Sequence, residues 1–227
     1  MFRPTSHREK RVHKDIIVIV LVVFFLYQLI SSYLLSSFVV RQSSMEPEFD
    51  GGNRILSTPI YSMSSLKRGS LVFVAQSDIQ YGFFKKTINA ILSFLTLHLY
   101  TPFDAQTMHS SKYLLRRIVA LPGDSIYMKD FILYVRPKGQ KHFLTEFEVA
   151  ELDYNINTEG LCKNWKEDLP FSASMEEFTL QEGQYFLLCD NRAFGTDSRL
   201  MGVVEGKDKI KQKVLLRYWP FNKIRFF

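Results

Sequence analysis

Residues 16–40 carry no charge, and no other property of this 227-residue chain limits its fold so strongly. The stretch opens on the unbroken apolar run Ile16–Leu26 and is softened later by Gln28 and four serines. An apolar segment of about 20 residues crosses a bilayer as a helix, because a helix satisfies its own backbone where water is absent. Before residue 15, Arg3, Arg8, Lys10, Arg11 and Lys14 stand against the lone Glu9, and together they supply +4 of the net charge of +6. Such a flank stays in the cytoplasm. The expected organisation is a basic cytoplasmic tail at 1–15, a single N-terminal transmembrane helix at 16–40 and an exported domain at 41–227. The basic balance is then a topology signal rather than a nucleic-acid footprint. A cleaved secretory signal is the competing reading. No small-x-small site such as Ala-x-Ala follows the apolar run, so the anchor is read as uncut.

Beyond Val40 the pattern is mainly β. Asn53–Tyr61, Gly69–Gln76, Tyr113–Leu121, Ser125–Val135, Tyr185–Cys189 and Lys213–Pro220 are short and rich in β-branched or aromatic residues. Each is bounded by Gly, Pro, Asn or Asp. Lys129-Asp130 is expected to turn a hairpin and Pro122-Gly123 to end a strand. The predicted fold is mainly β, an antiparallel barrel-like or folded sheet domain. Two stretches interrupt it. In 83–103, Ile88, Ile91, Leu92, Leu95 and Leu99 recur at helical spacing, which fits a helix packed on the β core or one lying in the bilayer surface. The second, 142–178, reads as a surface elaboration. Cys162 and Cys189 form no disulfide framework by spacing, although an exported domain would allow them to pair.

Four segments carry the chemistry: Ser43-Ser44-Met45-Glu46-Pro47, Arg116-Arg117-Ile118-Val119-Ala120-Leu121-Pro122-Gly123-Asp124, Cys189-Asp190-Asn191-Arg192 and Thr196-Asp197-Ser198-Arg199. The chain then ends its last strand on Leu216-Arg217-Tyr218-Trp219-Pro220. Singly these are weak signals. As an ordered set directly after a membrane anchor, they resemble the boxes of the type I signal peptidases, membrane-bound serine endopeptidases that remove leader peptides from exported preproteins. The resemblance implies Ser44 as nucleophile, with its own N–H as an oxyanion donor and Gln42 in the place of a second donor. It implies Asp197 and Arg199 as the pair holding the catalytic loop. Met45, Leu114 and Leu115 would wall shallow pockets for small leader-peptide residues. The location implied is the bacterial cytoplasmic membrane, N-terminus inside, with the bilayer and preproteins as partners.

Two positions depart from the family pattern. A lysine serves as general base where this chain has Arg116, and a serine orients that lysine where this chain has Gly195. A guanidinium has no lone pair to offer. Lys112 is about 13 Å from position 116 along a strand, and His109 has the opposite strand parity, so neither substitutes readily. The paired loss leaves two readings open: an active peptidase with another base, and a catalytically silent relative that binds leader peptides or regulates an active peptidase. No ligand spacing or phosphate loop points to a metal, a cofactor, a nucleotide or nucleic acid. If the anchor is uncut, the mature protein isolated from its membrane retains the basic tail by intact-mass analysis; a mature chain beginning near residue 32 overturns that reading.

Overall fold

The computed structural model describes residues 7–29, 34–75, 113–158, 174–193 and 195–227. Helix α1 (His7–Leu29) is followed by β1 (Ser36–Val39), β2 (Arg54–Thr58), β3 (Leu71–Ala75) and β4 (Tyr113–Ala120). Next come β5 (Ser125–Lys129), β6 (Ile132–Arg136), β7 (Leu144–Thr145), β8 (Met175–Thr179) and β9 (Gln184–Leu188). Then follow β10 (Val204–Glu205), β11 (Ile210–Trp219) and β12 (Arg225–Phe226). The first sheet runs β1-β2-β11-β3-β4-β9-β10 with β12 on β11, and the second runs β7-β6-β5-β8. All their pairings are antiparallel. Each predicted strand is present, with Ser125–Val135 divided into β5 and β6. Among the described residues neither sheet closes on itself, so the barrel-like expectation becomes two open sheets.

The anchor expectation also changes. Among the described residues no helix is long and apolar enough to cross a membrane. Charged residues up to Asp15 occupy the start of α1, and from Ile16 to Leu29 the helix rises roughly 21 Å against a hydrocarbon layer of roughly 30 Å. The boundary at Val40 moves as well, because Ser36–Val39 pairs with Val39↔Arg54 and Phe38↔Ile55. Phe38 rests on Phe73, ring centroids 4.3 Å apart, which draws this segment into the sheet. The 83–103 stretch lies outside the described residues.

Central strands have both faces covered, so their sequences are nearly continuous apolar runs rather than alternating ones. In β3, Leu71 and Phe73 join Val40, Met45, Phe49 and Leu115 on one side, while Val72 and Val74 join Leu66, Ile118 and Leu187 on the other. A third cluster, with Val119, Ile126, Leu133 and Phe186, sits between the two sheets. The β5–β6 hairpin turns on Asp130-Phe131, one residue later than expected, with φ of 51° and 66°. Two positive φ values match the strand twist of a two-residue hairpin loop. Phe131 is buried there despite this backbone, and its carbonyl accepts from Arg192 Nη1 at 3.3 Å.

The 142–178 stretch is more than surface elaboration. Thr145 and Glu148 form a reciprocal capping box that holds the one-turn helix Glu146–Val149. Glu146 is consequently directed inward and is 1% exposed. It accepts from Leu133 N at 3.0 Å and Tyr154 Oη at 2.6 Å, and pairs with the fully buried Arg192. Burial and the neighbouring Glu146 raise the Tyr154 phenol well above its ordinary range, so it remains a neutral donor. Removing one member of a buried pair strands the other charge without water. Glu146→Ala should cost about 3–5 kcal/mol in chemical unfolding of the detergent-solubilised chain. Glu151→Ala, which breaks an exposed pair with Lys67, should cost under about 1 kcal/mol. Equal costs would sink the assignment of Glu146 as a buried counter-charge.

Candidate active site

Strand alternation in β4 sends two neighbouring arginines to opposite faces. Arg116 is opposite Val72 in β3, and Arg117 is opposite Leu188 in β9. Arg117 grips the loop after β9, with Nε 2.7 Å from Asp190 Oδ1 and Nη1 2.8 Å from the Gly69 carbonyl. Its guanidinium also lies 4.2 Å from the centre of the Tyr154 ring. Asp190 is fully buried and therefore fixes the start of that loop.

Asn191 transmits this anchoring to the Ser44 segment. Its N–H donates to the Ser44 carbonyl at 3.0 Å and its side-chain amide donates to the Ser43 carbonyl at 3.2 Å. Ser43–Met45 forms a single 3-10 turn, and Phe49 N closes back on the Met45 carbonyl at 2.9 Å. On the far side Glu48 pairs with both Arg217 of β11 and Arg225 of β12. Ser44 is thus held from two directions, and only 7% of its surface is exposed.

Arg116 reaches the same place. It is 1% exposed, donates from Nε to the Thr196 carbonyl at 2.8 Å and from Nη1 to the Leu115 carbonyl. Nη1 also lies 3.3 Å from Ser44 Oγ, with the guanidinium as donor. Position 116 therefore does meet Ser44, but with a group that gives a hydrogen bond and takes no proton. Lys112 and His109 lie outside the described residues.

Gly195 explains how the loop comes so close. Its φ is +110°, where a side chain is strained, and a Cβ there would lie 2.6 Å from Cys189 Sγ and 3.0 Å from Ser44 Cβ. The Cys189 thiol occupies the space that a side chain at 195 would need. Cys189 is free and buried, so it does not form the disulfide that the sequence allowed, and Cys162 lies outside the described residues. Burial pushes its thiol up to about 12, which keeps it protonated and unreactive.

Asp197 begins the one-turn helix Ser198–Met201 and accepts from Arg199 N. Arg199 also grips it through Nε at 2.9 Å and Nη2 at 2.7 Å, and Cys189 N donates to it at 3.0 Å. Burial opposes ionisation of Asp197, but these donors outweigh it and hold the carboxyl below its ordinary value. Both residues therefore hold the loop. Gln42 is exposed and its side chain makes no capping bond to the Ser44 turn. Met45 and Leu115 belong to one apolar cluster, and Leu114 is buried opposite Val74. Sequence reasoning missed Glu48, Glu146, Tyr154 and Asn157. Asn157 bridges to Asn191, donating to Asp190 O at 2.9 Å and accepting from Arg192 N at 2.8 Å. A Thr-x-x-Glu capping signature at 145–148 was the available clue to Glu146. Among the described residues, no group of three His, Cys, Asp or Glu side chains could hold a metal ion.

Restoring a serine at 195 should fail unless Cys189 shrinks. Gly195→Ser alone should cost about 3 kcal/mol, from backbone strain and overpacking together. Added to Cys189→Ala it should cost at least about 1 kcal/mol less, read as the coupling energy of a double-mutant unfolding cycle. Strict additivity would show that the thiol is not the obstacle.

A family model described as signal peptidase, peptidase S26, matches residues 13–219. Signal peptidase IB of Staphylococcus aureus strain MRSA252 is 24% identical over 214 residues, covering 92% of this chain and 91% of that protein. Signal peptidase I of Bacillus caldolyticus is 26% identical over 206 residues, covering 86% and 85%. The match runs through the turn bearing Ser44, the strand bearing Arg116 and the Asp190–Arg199 loop, and the chain belongs to the signal peptidase family of serine endopeptidases.

Proposed function

We propose that the chain processes leader peptides of exported preproteins at a bacterial membrane surface, with Ser44 as its nucleophile. The observation that carries this reading is the meeting of Ser44, Arg116 and Gly195, three positions widely separated in sequence, around one hydroxyl. Membrane attachment is supported by α1, whose side chains from Ile16 to Leu26 are mostly more than half exposed. Exposed Trp219, Phe221, Ile224 and Phe226 add an apolar edge around β11 and β12. The basic residues before Ile16 support an N-terminus in the cytoplasm and a β domain on the exported side.

In an active enzyme, Arg116 would stabilise the Ser44 alkoxide by donation and would not accept its proton. The acceptor would then be a water or a group outside the described residues. A second reading has its own support in the same contact. A permanent cation where a base is needed suits a catalytically silent relative that binds leader peptides or regulates an active peptidase.

Cleavage of a preprotein with an Ala-x-Ala site separates the two. The detergent-solubilised full chain should cut it, and Ser44→Ala should lower the rate by at least about a thousandfold. No cleavage by either, with leader-peptide binding retained, would replace the active reading with the silent one.

A further inference from the structure

The buried arginines differ in one respect that the proposed activity does not use. Arg117 is paired with Asp190, Arg192 with Glu146 and Arg199 with Asp197. Arg116 is as deeply buried as these, yet no carboxylate of the described residues lies within ion-pair distance of it. Nε and Nη1 have acceptors, whereas the two N–H groups of Nη2 meet none among the described residues. A buried charge without a counter-charge is strongly unfavourable, so an anion that reaches it gains correspondingly.

Ser44 completes a set of donors. Its Oγ accepts from Arg116 Nη1, which leaves the hydroxyl proton directed to another acceptor. A guanidinium and a hydroxyl converging from one side suit the two oxygens of a carboxylate, in the charge-assisted geometry that arginine favours. We infer that Arg116 and Ser44 form a receptor for the C-terminal carboxylate of a leader peptide that has already been cut. This rests on the reading that leader peptides occupy the Ser44 site, in either its active or its silent form. Hydrolysis breaks the C–N bond beside Ser44: the amine leaves on the mature chain as Ser44 is acylated, and water then attacks the acyl carbon, frees Ser44 and gives a carboxylate and a proton. The new charge therefore arises where Arg116 has no carboxylate partner among the described residues. The site distinguishes a finished leader from an intact precursor by that charge.

The test uses the full chain in detergent and a dye-labelled leader peptide ending in Ala-Gln-Ala, prepared as the free acid and as the C-terminal amide. Fluorescence anisotropy should show the acid binding at least about tenfold more tightly. In Arg116→Gln the preference should fall to less than about threefold. Equal affinities in the unaltered chain overturn the carboxylate receptor while leader recognition stands, and this arm decides the matter even if the variant fails to fold. A preference that survives in Arg116→Gln assigns it to the basic tail and overturns the proposal. Binding of neither peptide removes leader recognition together with the receptor. Displacement of the acid peptide by equimolar acetate assigns the site to small soluble acids instead.

Discussion

Two guanidinium–carboxylate pairs, Arg117–Asp190 and Arg192–Glu146, lie out of reach of water beneath the loop that follows β9. Each pair is expensive to desolvate and is supported by hydrogen bonds from Gly69, Phe131, Leu133 and Tyr154, although Arg192 Nε meets no acceptor among the described residues. Tyr154 connects them, donating to Glu146 while its ring faces Arg117. Asn157 closes the arrangement through the backbone on either side of Asn191. The loop cannot shift without exposing or stranding one of these charges, so Asn191 offers the Ser44 turn a rigid support. Precision at Ser44 is thus derived from electrostatics several residues away.

The Ser44 turn is itself too short to hold a shape by helix propensity. Asn191 fixes it on one side, and the bridging of Glu48 by Arg217 and Arg225 fixes it on the other. Phe227 packs on Phe49 at 5.4 Å between ring centres, adding an apolar seal to the same loop. The first strands and the last ones therefore meet around one turn. A site built this way resembles a keystone more than a pocket: its residues are mostly buried, and small backbone displacements carry through to the hydroxyl.

Strand positions were legible in sequence wherever both faces are covered, because Leu71–Ala75 and Tyr113–Ala120 have little choice but to be central strands. The boxes were legible as chemistry because Ser44, Arg116 and Gly195 retain the order of a known family. The end of the N-terminal helical segment was not, since Ser36–Val39 is uncharged and fits either a helix end or an edge strand. Phe38 against Phe73 decides between them, and that contact is invisible without the fold. Glu146 was hidden for a related reason: an acidic residue in an apparently irregular stretch reads as exposed until Arg192 is found beside it. Met45 and Leu115 were legible as apolar, but their burial was not, because a pocket wall and a core position have the same composition.

The contact between Gly195 and Cys189 ties two sequence positions together. A side chain at 195 is obstructed most closely by the thiol at 189, while a smaller residue at 189 would leave 195 hindered by its own backbone and by Ser44 Cβ. The two positions can therefore exchange in one order more readily than the other. A side chain at 195 and the thiol at 189 compete for one space, so the residue chosen at either position limits the other. Gly195 is in this sense latched, with a buried sulfur acting as the catch.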